Sequence, residues 1–284
     1  MQSQPIFKSA PGQNSILAVY DSILSRWPLA YETQVIPTRR GNTHLIACGD
    51  KSAPPLILLH GSSSNSLMWI GDITEFCRHY RVYAVDLLGE PGKSEAIRHE
   101  LTGPAYIEWL EDILNTLNIK KAFLAGISLG GWMALKFATT YPDRVEKLVL
   151  LCPSGIGPQK SSFMFSVIPL MFMGGWGLER ILRKVNGKTP VLEETIAYSK
   201  LIATHFNPII ATLPIFNDEE LSRLQMPLLL IVGARDALLH SKKTAARVTK
   251  LLPRATVQLL PEAGHVLINM GGPIMKFLTD EAGA

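Results

Sequence analysis

Short apolar runs alternate along the chain with longer stretches whose apolar residues recur at helical spacing. Eight short runs are predicted to be β-strands: Thr33–Pro37, Thr43–Cys48, Leu56–His60, Arg81–Asp86, Lys121–Ile127, Lys147–Cys152, Pro227–Gly233 and Thr256–Leu260. The runs at Leu56–Leu59, Leu148–Leu151 and Leu228–Val232 are apolar without alternation. This pattern is typical of strands that are covered on both faces in a parallel sheet.

Helical patterns fill the gaps between the predicted strands. Five helices are predicted: Ser66–His79, Pro104–Leu117, Leu129–Thr140, Lys242–Leu252 and Pro273–Glu281. Pro104 and Pro273 suit the first turn of a helix, where a missing N–H costs nothing. The hairpin-like turn Arg39–Asn42 joins the first two strands, so the leading edge of the sheet should be antiparallel. The remaining order predicts an open, mostly parallel α/β sheet.

Two regions depart from this alternation. Residues 1–30 form a polar tail and then an amphipathic helix, which we expect to be an arm that covers the core. Residues 156–225 contain no strand pattern and are rich in Phe, Met and Trp, so we expect an inserted helical lid. The core domain would then comprise residues 1–155 and 226–284.

Composition narrows the class of protein. The chain has 284 residues, of which 47% are hydrophobic and 18% charged, which excludes a disordered chain. The net charge is +4, with lysine and arginine scattered along the sequence. Since nucleic-acid binding requires a clustered basic face, we expect no nucleic-acid partner.

The cysteines and the apolar stretches point to no special compartment. Cys48 and Cys152 lie in or beside apolar runs, where cysteine behaves as a small hydrophobe, although a reactive thiol stays an alternative. Residues 1–15 lack the pattern of a signal peptide. The uncharged stretch Ser161–Leu178 is broken by proline and glycine, so a lid segment is favoured over a membrane span. We expect a soluble, cytoplasmic protein.

One motif carries clear nucleophile chemistry. The sequence Gly126-Ile127-Ser128-Leu129-Gly130 follows a predicted strand and opens a predicted helix. A nucleophile elbow needs this strand–turn–helix context, with small residues two positions before and after the serine. We therefore expect Ser128 to be a catalytic nucleophile rather than an incidental serine in a glycine-rich turn.

A serine nucleophile needs a base and a carboxylate that orients the base. In elbow enzymes the chain order is serine, acid, histidine. His265 follows the last predicted strand and Asp236 follows the strand before it, where ligands bind in open α/β sheets. Glu262 is a rival acid, but it shares the loop of His265 and should point away. His205 lies in the insertion and is a weaker candidate for a pocket residue.

Acyl transfer also needs two backbone N–H groups that stabilise the oxyanion. One is expected from Leu129, the residue after the nucleophile. The other is expected from the loop after the Leu56–His60 strand, where the sequence His60-Gly61-Ser62-Ser63-Ser64 favours the N–H of Ser62. A run of serines is also compatible with a plain flexible turn.

Taken together, these motifs resemble the α/β-hydrolase superfamily. The residues that carry the resemblance are His60-Gly61, Asp86 through Gly92-Lys93-Ser94, the elbow at Ser128, Asp236 and Gly264-His265. The Trp27-Pro28 arm, the strand Thr43-His44-Leu45-Ile46-Ala47 and the Gly-Ile-Ser-Leu-Gly-Gly elbow are similar to bacterial carboxylesterases of the naproxen-esterase type. The resemblance implies an α/β-hydrolase fold, an eight-stranded mostly parallel sheet with an inserted helical lid, a Ser-Asp-His triad and no cofactor or metal.

The sequence thus predicts a carboxylic ester hydrolase, acting as a monomer or homodimer on small-molecule esters and water. The lid residues Phe163, Phe172 and Trp176 are expected to bind small hydrophobic aryl or alkyl groups, with plain lid packing as an equal alternative. The same triad also serves perhydrolases and C–C bond hydrolases, and a slow hydrolase-like receptor for a small hydrophobic signal is a further alternative.

Overall fold

A computed structural model describes residues 5–171, 173–187, 192–209 and 212–280. Eight strands form one sheet: β1 (Tyr31–Ile36), β2 (Thr43–Cys48), β3 (Pro55–Leu59), β4 (Arg81–Val85), β5 (Ala122–Ile127), β6 (Val145–Leu151), β7 (Leu228–Gly233) and β8 (Thr256–Leu260). Their order in the sheet is β1-β2-β4-β3-β5-β6-β7-β8. The strand β2 runs antiparallel to β1 and β4, and the pairs from β4 to β8 are parallel. The predicted fold class is confirmed.

Ten α-helices accompany the sheet in the described residues: α1 (Ala10–Leu24), α2 (Ile73–Phe76), α3 (Ala105–Thr116), α4 (Leu129–Thr140), α5 (Ser161–Met171), α6 (Gly174–Asn186), α7 (Glu193–His205), α8 (Asp218–Ser222), α9 (Ser241–Leu251) and α10 (Gly271–Thr279). The helix predicted over Ser66–His79 is not continuous. A 3₁₀ segment over Ser66–Trp69 and the single turn α2 replace it, and Gly71 lies between them. No helix in the described ranges is long and apolar enough to cross a membrane.

Two apolar layers sandwich the sheet, and this explains the unbroken apolar strands. In β3, Ile57 and Leu59 pack into the layer under α3, α4 and α9, and Leu56 and Leu58 pack into the layer under α1, α2 and α10. Successive side chains of a strand point to opposite faces. A strand that is buried on both faces therefore has no polar side, as the sequence predicts.

The helix α1 is fixed to the sheet by a buried polar cluster around Asp86. The Asp86 carboxylate accepts hydrogen bonds from the hydroxyl of Tyr20 in α1 and from the N–H of Ser66, and it contacts the His44 ring. Burial opposes ionisation, but the hydrogen bond and the charge of His44 outweigh it and lower the pKa of Asp86 to about 2. The N-terminal helix is thus part of the fold that supports the β3 and β4 loops.

The strand order defines where a ligand site should lie. The strands β3 and β5 are neighbours, and the chain leaves β3 for β4 on one side of this pair and leaves β5 for β6 on the other. Open α/β sheets bind ligands outside the carboxyl ends of the strands at such a switch point. The loops after β3 and β5 carry Ser62 and Ser128, so two predicted site residues meet at this point of the sheet.

Candidate active site

Ser128 lies in the turn between β5 and α4 in a strained conformation. Its backbone has φ 51° and ψ −106°, outside the regions that side chains usually adopt. Only glycines fit around this turn. A Cβ on Gly126 would lie 2.5 Å from the carbonyl oxygen of Gly130, and a Cβ on Gly130 would lie 2.3 Å from the carbonyl oxygen of Leu59. The motif therefore has the strand–turn–helix geometry that a nucleophile elbow requires, and Ser128 is only partly buried.

The predicted base is hydrogen-bonded to Ser128, and the predicted acid is hydrogen-bonded to the base. The Nε2 atom of His265 lies 3.0 Å from the Oγ atom of Ser128, and its Nδ1 atom lies 2.8 Å from Oδ2 of Asp236. Both distances are within hydrogen-bond range. His265 is in the loop after β8 and Asp236 follows β7, so three parallel strand ends supply the three groups. Glu262 instead pairs with Arg235 on the surface.

The surroundings of Asp236 favour its charged form. Burial opposes ionisation, but the hydrogen bond and charge of His265 and the N–H groups of Leu239 and Leu238 outweigh it. They hold the pKa of Asp236 below its usual value, so the carboxylate stays charged at neutral pH. A charged Asp236 accepts the Nδ1 proton of His265, which leaves Nε2 free to accept a proton from Ser128.

Cys152 lies beside Asp236 and His265, a position that the sequence did not predict. One ligand atom each of Cys152, Asp236 and His265 lies within 4.8 Å of the others, which is a possible metal-binding spacing. However, metals bind the thiolate. Burial, and then the charge of Asp236, raise the pKa of the Cys152 thiol. Because the other two groups are already hydrogen-bonded to each other, this donor set suits a catalytic chain better than a metal site.

The loop after β3 passes directly beside Ser128. A Cβ on Gly61 would lie 3.7 Å from the Cβ of Ser128, and Ser62 follows as an exposed residue. Leu129 is the first residue of α4, and the first N–H groups of a helix have no acceptor within the helix. The two predicted oxyanion donors thus belong to segments that meet at Ser128.

Two side chains that the sequence did not single out hold this loop. Asn65 donates hydrogen bonds to the carbonyl of Pro91 and to the hydroxyl of Tyr198 in α7. Glu90 accepts a hydrogen bond from the N–H of Ser63 at 2.6 Å. The only sequence signal was the acidic residue within Gly89–Gly92, and a pattern alone does not tell a buried carboxyl from a solvated one.

The insertion between β6 and β7 contacts the site through α6. The carbonyl of Val185 in α6 accepts a hydrogen bond from the N–H of His265 at 3.2 Å, and Gly187 forms a β-bridge with Ala263. Of the lid residues expected to bind substrate, Phe163 is half-buried and Trp176 is 54% exposed. Phe172 lies outside the described residues. His205 packs against α1, where a Cβ on Gly12 would lie 2.6 Å from its Nδ1.

Comparisons with known proteins show the family to which this fold belongs. The profile of the alpha/beta hydrolase family matches residues 56–271. Carboxylesterase YbfK of Bacillus subtilis is 33% identical over 258 residues, which are 87% of this chain and 86% of that protein. The uncharacterized carboxylesterase nap of the same organism is 31% identical over 93% of this chain and 92% of its own length. The crystal structure of naproxen esterase from Bacillus subtilis superimposes with a TM-score of 0.85 at 29% identity, covering 96% of this chain and 100% of that one.

Proposed function

The chain belongs to the alpha/beta hydrolase family as a carboxylesterase-like serine hydrolase, and on this basis we propose that Ser128, His265 and Asp236 hydrolyse small carboxylic esters through an acyl-enzyme. The observation that carries the proposal is the hydrogen-bonded chain from Ser128 Oγ through His265 to Asp236. These three groups lie at the carboxyl ends of β5, β7 and β8, at the edge of the sheet where this chemistry requires them.

In the first half of the reaction, Ser128 Oγ attacks the ester carbonyl carbon while Nε2 of His265 takes the hydroxyl proton. The imidazolium that forms is stabilised by the charged Asp236, whose hydrogen bond fixes the ring. Collapse of the tetrahedral intermediate breaks the bond to the alcohol, which receives the proton from His265. A water activated by the same imidazole then cleaves the acyl-enzyme and releases the carboxylic acid.

The tetrahedral oxyanion would be stabilised by the N–H groups of Ser62 and Leu129. Support comes from the close approach of the β3 loop to Ser128 and from the position of Leu129 at the first turn of α4. Backbone donors that are fixed before the reaction stabilise developing charge without reorganisation. The strained elbow fits this role, since Ser128 directly precedes α4 and the first N–H groups of a helix have no acceptor within the helix.

The proposed substrates are esters with small hydrophobic aryl or alkyl groups. The lid residues Phe163 and Trp176, and the apolar sequence around Phe172, supply adaptable apolar side chains. The names of the relatives, carboxylesterase and naproxen esterase, are compatible with this class.

A panel of p-nitrophenyl esters that differ in acyl chain, assayed at neutral pH, tests the proposed reaction. Rapid multiple turnover that is fastest with short or aryl acyl groups supports it. The alternatives give other results. A perhydrolase forms peracid with added peroxide, and a C–C hydrolase cleaves a vinylogous diketone faster than any ester. A receptor turns over once and shows a ligand-dependent shift in Tm.

A pair of substitutions at Ser62 tests the oxyanion donor, because the proposed role uses the backbone and not the hydroxyl. We expect Ser62→Ala to keep kcat within about tenfold, and Ser62→Pro to lower kcat by about 10²–10³, since proline deletes the N–H. The measurement is kcat on a p-nitrophenyl ester. An unchanged circular dichroism spectrum and retained fluorophosphonate labelling serve as controls. If alanine is as damaging as proline, the hydroxyl itself acts on the substrate.

Truncation of lid side chains tests the proposed substrate contacts. Trp176 is more than half exposed and its ring contacts the Arg180 guanidinium, so Trp176→Ala should lower the free energy of unfolding by no more than about 1 kcal/mol. We expect KM for a bulky aryl ester to rise about tenfold relative to a short ester. Phe165→Ala, on the exposed face of α5, is the matched control and should change neither quantity. Equal effects of both variants on substrate preference would contradict the assignment of Trp176.

A further inference from the structure

Glu90 is a buried carboxyl group that the proposed mechanism does not use. It lies in the loop after β4 and is 1% exposed. Its Oε2 atom accepts the hydrogen bond from the N–H of Ser63, and its Oε1 atom has no hydrogen-bond partner among the described residues. A buried carboxylate with a single donor is costly, because charge in a low-dielectric interior needs several hydrogen bonds or a counter-ion.

The hydrogen bond from Ser63 connects Glu90 to the proposed oxyanion donor. Ser63 has φ 56°, in the left-handed region that serine rarely adopts. An unusual backbone conformation persists only where its surroundings hold it. The N–H of Ser63 belongs to the Ser62–Ser63 peptide group, so the carboxyl group that binds it fixes the peptide group next to the one that carries the N–H of Ser62. Asn65 holds the other end of the same loop.

We propose that Glu90 is a positioning residue that holds the Ser62–Ser63 segment in its oxyanion-binding conformation and does so as a neutral carboxylic acid. The inference rests on the proposed function of Ser62. In this form the side-chain oxygen Oε2 of Glu90 accepts the hydrogen bond from the N–H of Ser63, and no negative charge lies beside the oxyanion. A carboxylate at the same place would repel the oxyanion and weaken its stabilisation.

The surroundings of Glu90 support the neutral form. Burial raises the pKa of Glu90 to about 8, while the hydrogen bond from Ser63 and the charge of Arg98 act in the opposite direction. The ionisable groups that face it are the Arg98 guanidinium and the Tyr106 hydroxyl of α3, and the pKa of Tyr106 is itself raised by burial and by Glu90. Arg98 is further engaged with the carbonyls of Gly89 and Asn207. We therefore expect Glu90 to be neutral at pH 7 and to become charged as the pH rises past about 8.

Two substitutions separate positioning from charge. Glu90→Gln keeps an acceptor for Ser63 but does not ionise, so kcat at pH 7 should stay within about threefold of the wild type. In the wild type kcat should decline above about pH 8, and this decline should be absent in Glu90→Gln. Glu90→Ala removes the acceptor and should lower kcat about 10- to 100-fold, with KM changed by less than about threefold, since the lost interaction acts in the transition state.

Thermal unfolding gives a readout that does not depend on activity. Because the folded-state pKa of Glu90 is raised, ionisation destabilises the fold as the pH rises from about 4.5 to about 8. The difference in Tm, Glu90→Gln minus wild type, should therefore increase with pH across this range and stay constant above it. This comparison tests the protonation state even if Glu90→Ala does not fold.

The outcomes also distinguish this inference from the proposed function. Complete fluorophosphonate labelling of Ser128 in the wild type and both variants shows that the nucleophile assignment stands. With labelling intact, wild-type kcat in Glu90→Ala would overturn the positioning role. An equal loss of kcat in Glu90→Gln at every pH would overturn the neutral-acid role. If the wild type neither hydrolyses esters nor labels at Ser128, the proposed function fails first.

A second inference comes from an independent pair of side chains, Cys48 and Cys77. Their Sγ atoms lie 3.2 Å apart, and both thiols are free. Cys48 ends β2 and is buried, whereas Cys77 follows α2 and is half-buried. A disulfide needs the sulfurs about 2.05 Å apart, which is roughly 1 Å closer than they lie here.

We infer that Cys48 and Cys77 form an intramolecular disulfide when the protein meets a peroxide. One thiolate of the pair attacks one peroxide oxygen, the O–O bond breaks, and a sulfenic acid forms while the leaving hydroxide takes up the proton released by the thiol and becomes water. The other sulfur, as thiolate, then attacks the sulfenic sulfur, the S–S bond forms, the S–O bond breaks, and the leaving hydroxide takes up the second thiol proton and becomes water. The closed loop contains β3 and Ser62, and the bond joins the end of α2 to the end of β2.

Treatment with hydrogen peroxide, followed by thiol titration in denaturant and intact mass measurement, tests this inference. We expect the three titratable thiols to fall to one, the monomer mass to drop by two hydrogen atoms, and Tm to rise by several degrees. Cys77→Ser and Cys48→Ser should each abolish the loss of mass, and Cys152→Ser should not. A mass gain from added oxygen in the wild type, or a disulfide-linked dimer, would overturn the inference.

Discussion

Replacing Ser128 by alanine is expected to lower kcat on a p-nitrophenyl ester by about 10⁴-fold or more, because no other group replaces the nucleophile at the elbow. The variant should also lose all labelling by a fluorophosphonate. The fold should stay intact, since Ser128 is only partly buried and alanine removes only the hydroxyl group while it keeps the Cβ atom in the turn. The measurements are kcat, labelling followed by peptide mapping, and Tm.

Ser154→Ala is the matched control for this experiment. Ser154 is a buried serine in the loop after β6, and its N–H donates a hydrogen bond to the carbonyl of Ser128. Its substitution changes a hydroxyl near the site but leaves that backbone contact, so kcat and labelling should match the wild type. Labelling at any serine other than Ser128, or an unchanged kcat in Ser128→Ala, would remove the basis of the proposed mechanism.

Replacing Asp236 by asparagine should lower kcat by about 10⁴-fold with little change in KM, because an amide does not stabilise the imidazolium and favours the wrong tautomer of His265. The loss should be present at every pH at which the enzyme is active. The pKa of Asp236 lies below its usual value, so this carboxyl becomes protonated, and wild-type activity is lost by that route, only at a pH below the usual titration range of aspartate. The measurement is kcat and KM across the pH range.

Glu262→Gln is the matched control, because Glu262 lies in the same loop as His265 and is the other acid that the sequence offers. Its carboxylate pairs with Arg235 at a site where both side chains are largely exposed. Exposed ion pairs contribute little to stability, so kcat should stay within about threefold. A loss of kcat in Glu262→Gln that matches the loss in Asp236→Asn would contradict the assignment of Asp236 as the acid.

The sheet was predictable because its signal is local. The observed β2 and β8 have the predicted bounds, since their apolar runs end at turns that the sequence marks clearly. The prediction over Ser66–His79 was wrong in detail because the apolar spacing continues through Gly71, whereas the backbone does not. Asp72 there binds the N–H of Gly271 at the start of α10, a tertiary contact that periodicity does not contain.

The site residues likewise differ in whether the local sequence predicts them. Ser128, Asp236 and His265 could be proposed from the sequence because each follows a recognisable strand in the order that the elbow fold requires. Glu90 could not, since its importance depends on burial and on one hydrogen bond to a residue 27 positions earlier. The contact of Cys48 with Cys77 likewise depends on how the connection between β3 and β4 folds back on β2.

The hydrogen bond from His265 to Val185 has a consequence for heat inactivation. Among the described residues of α6 only Gly177 is buried, so this helix has few apolar contacts that resist local opening. When α6 detaches, the loop of His265 loses its backbone support while the sheet stays folded. Catalysis should therefore cease at a lower temperature than unfolding of the core, and recover on cooling. In stability engineering, the contact between α6 and the His265 loop would then set the working temperature more than the sheet does.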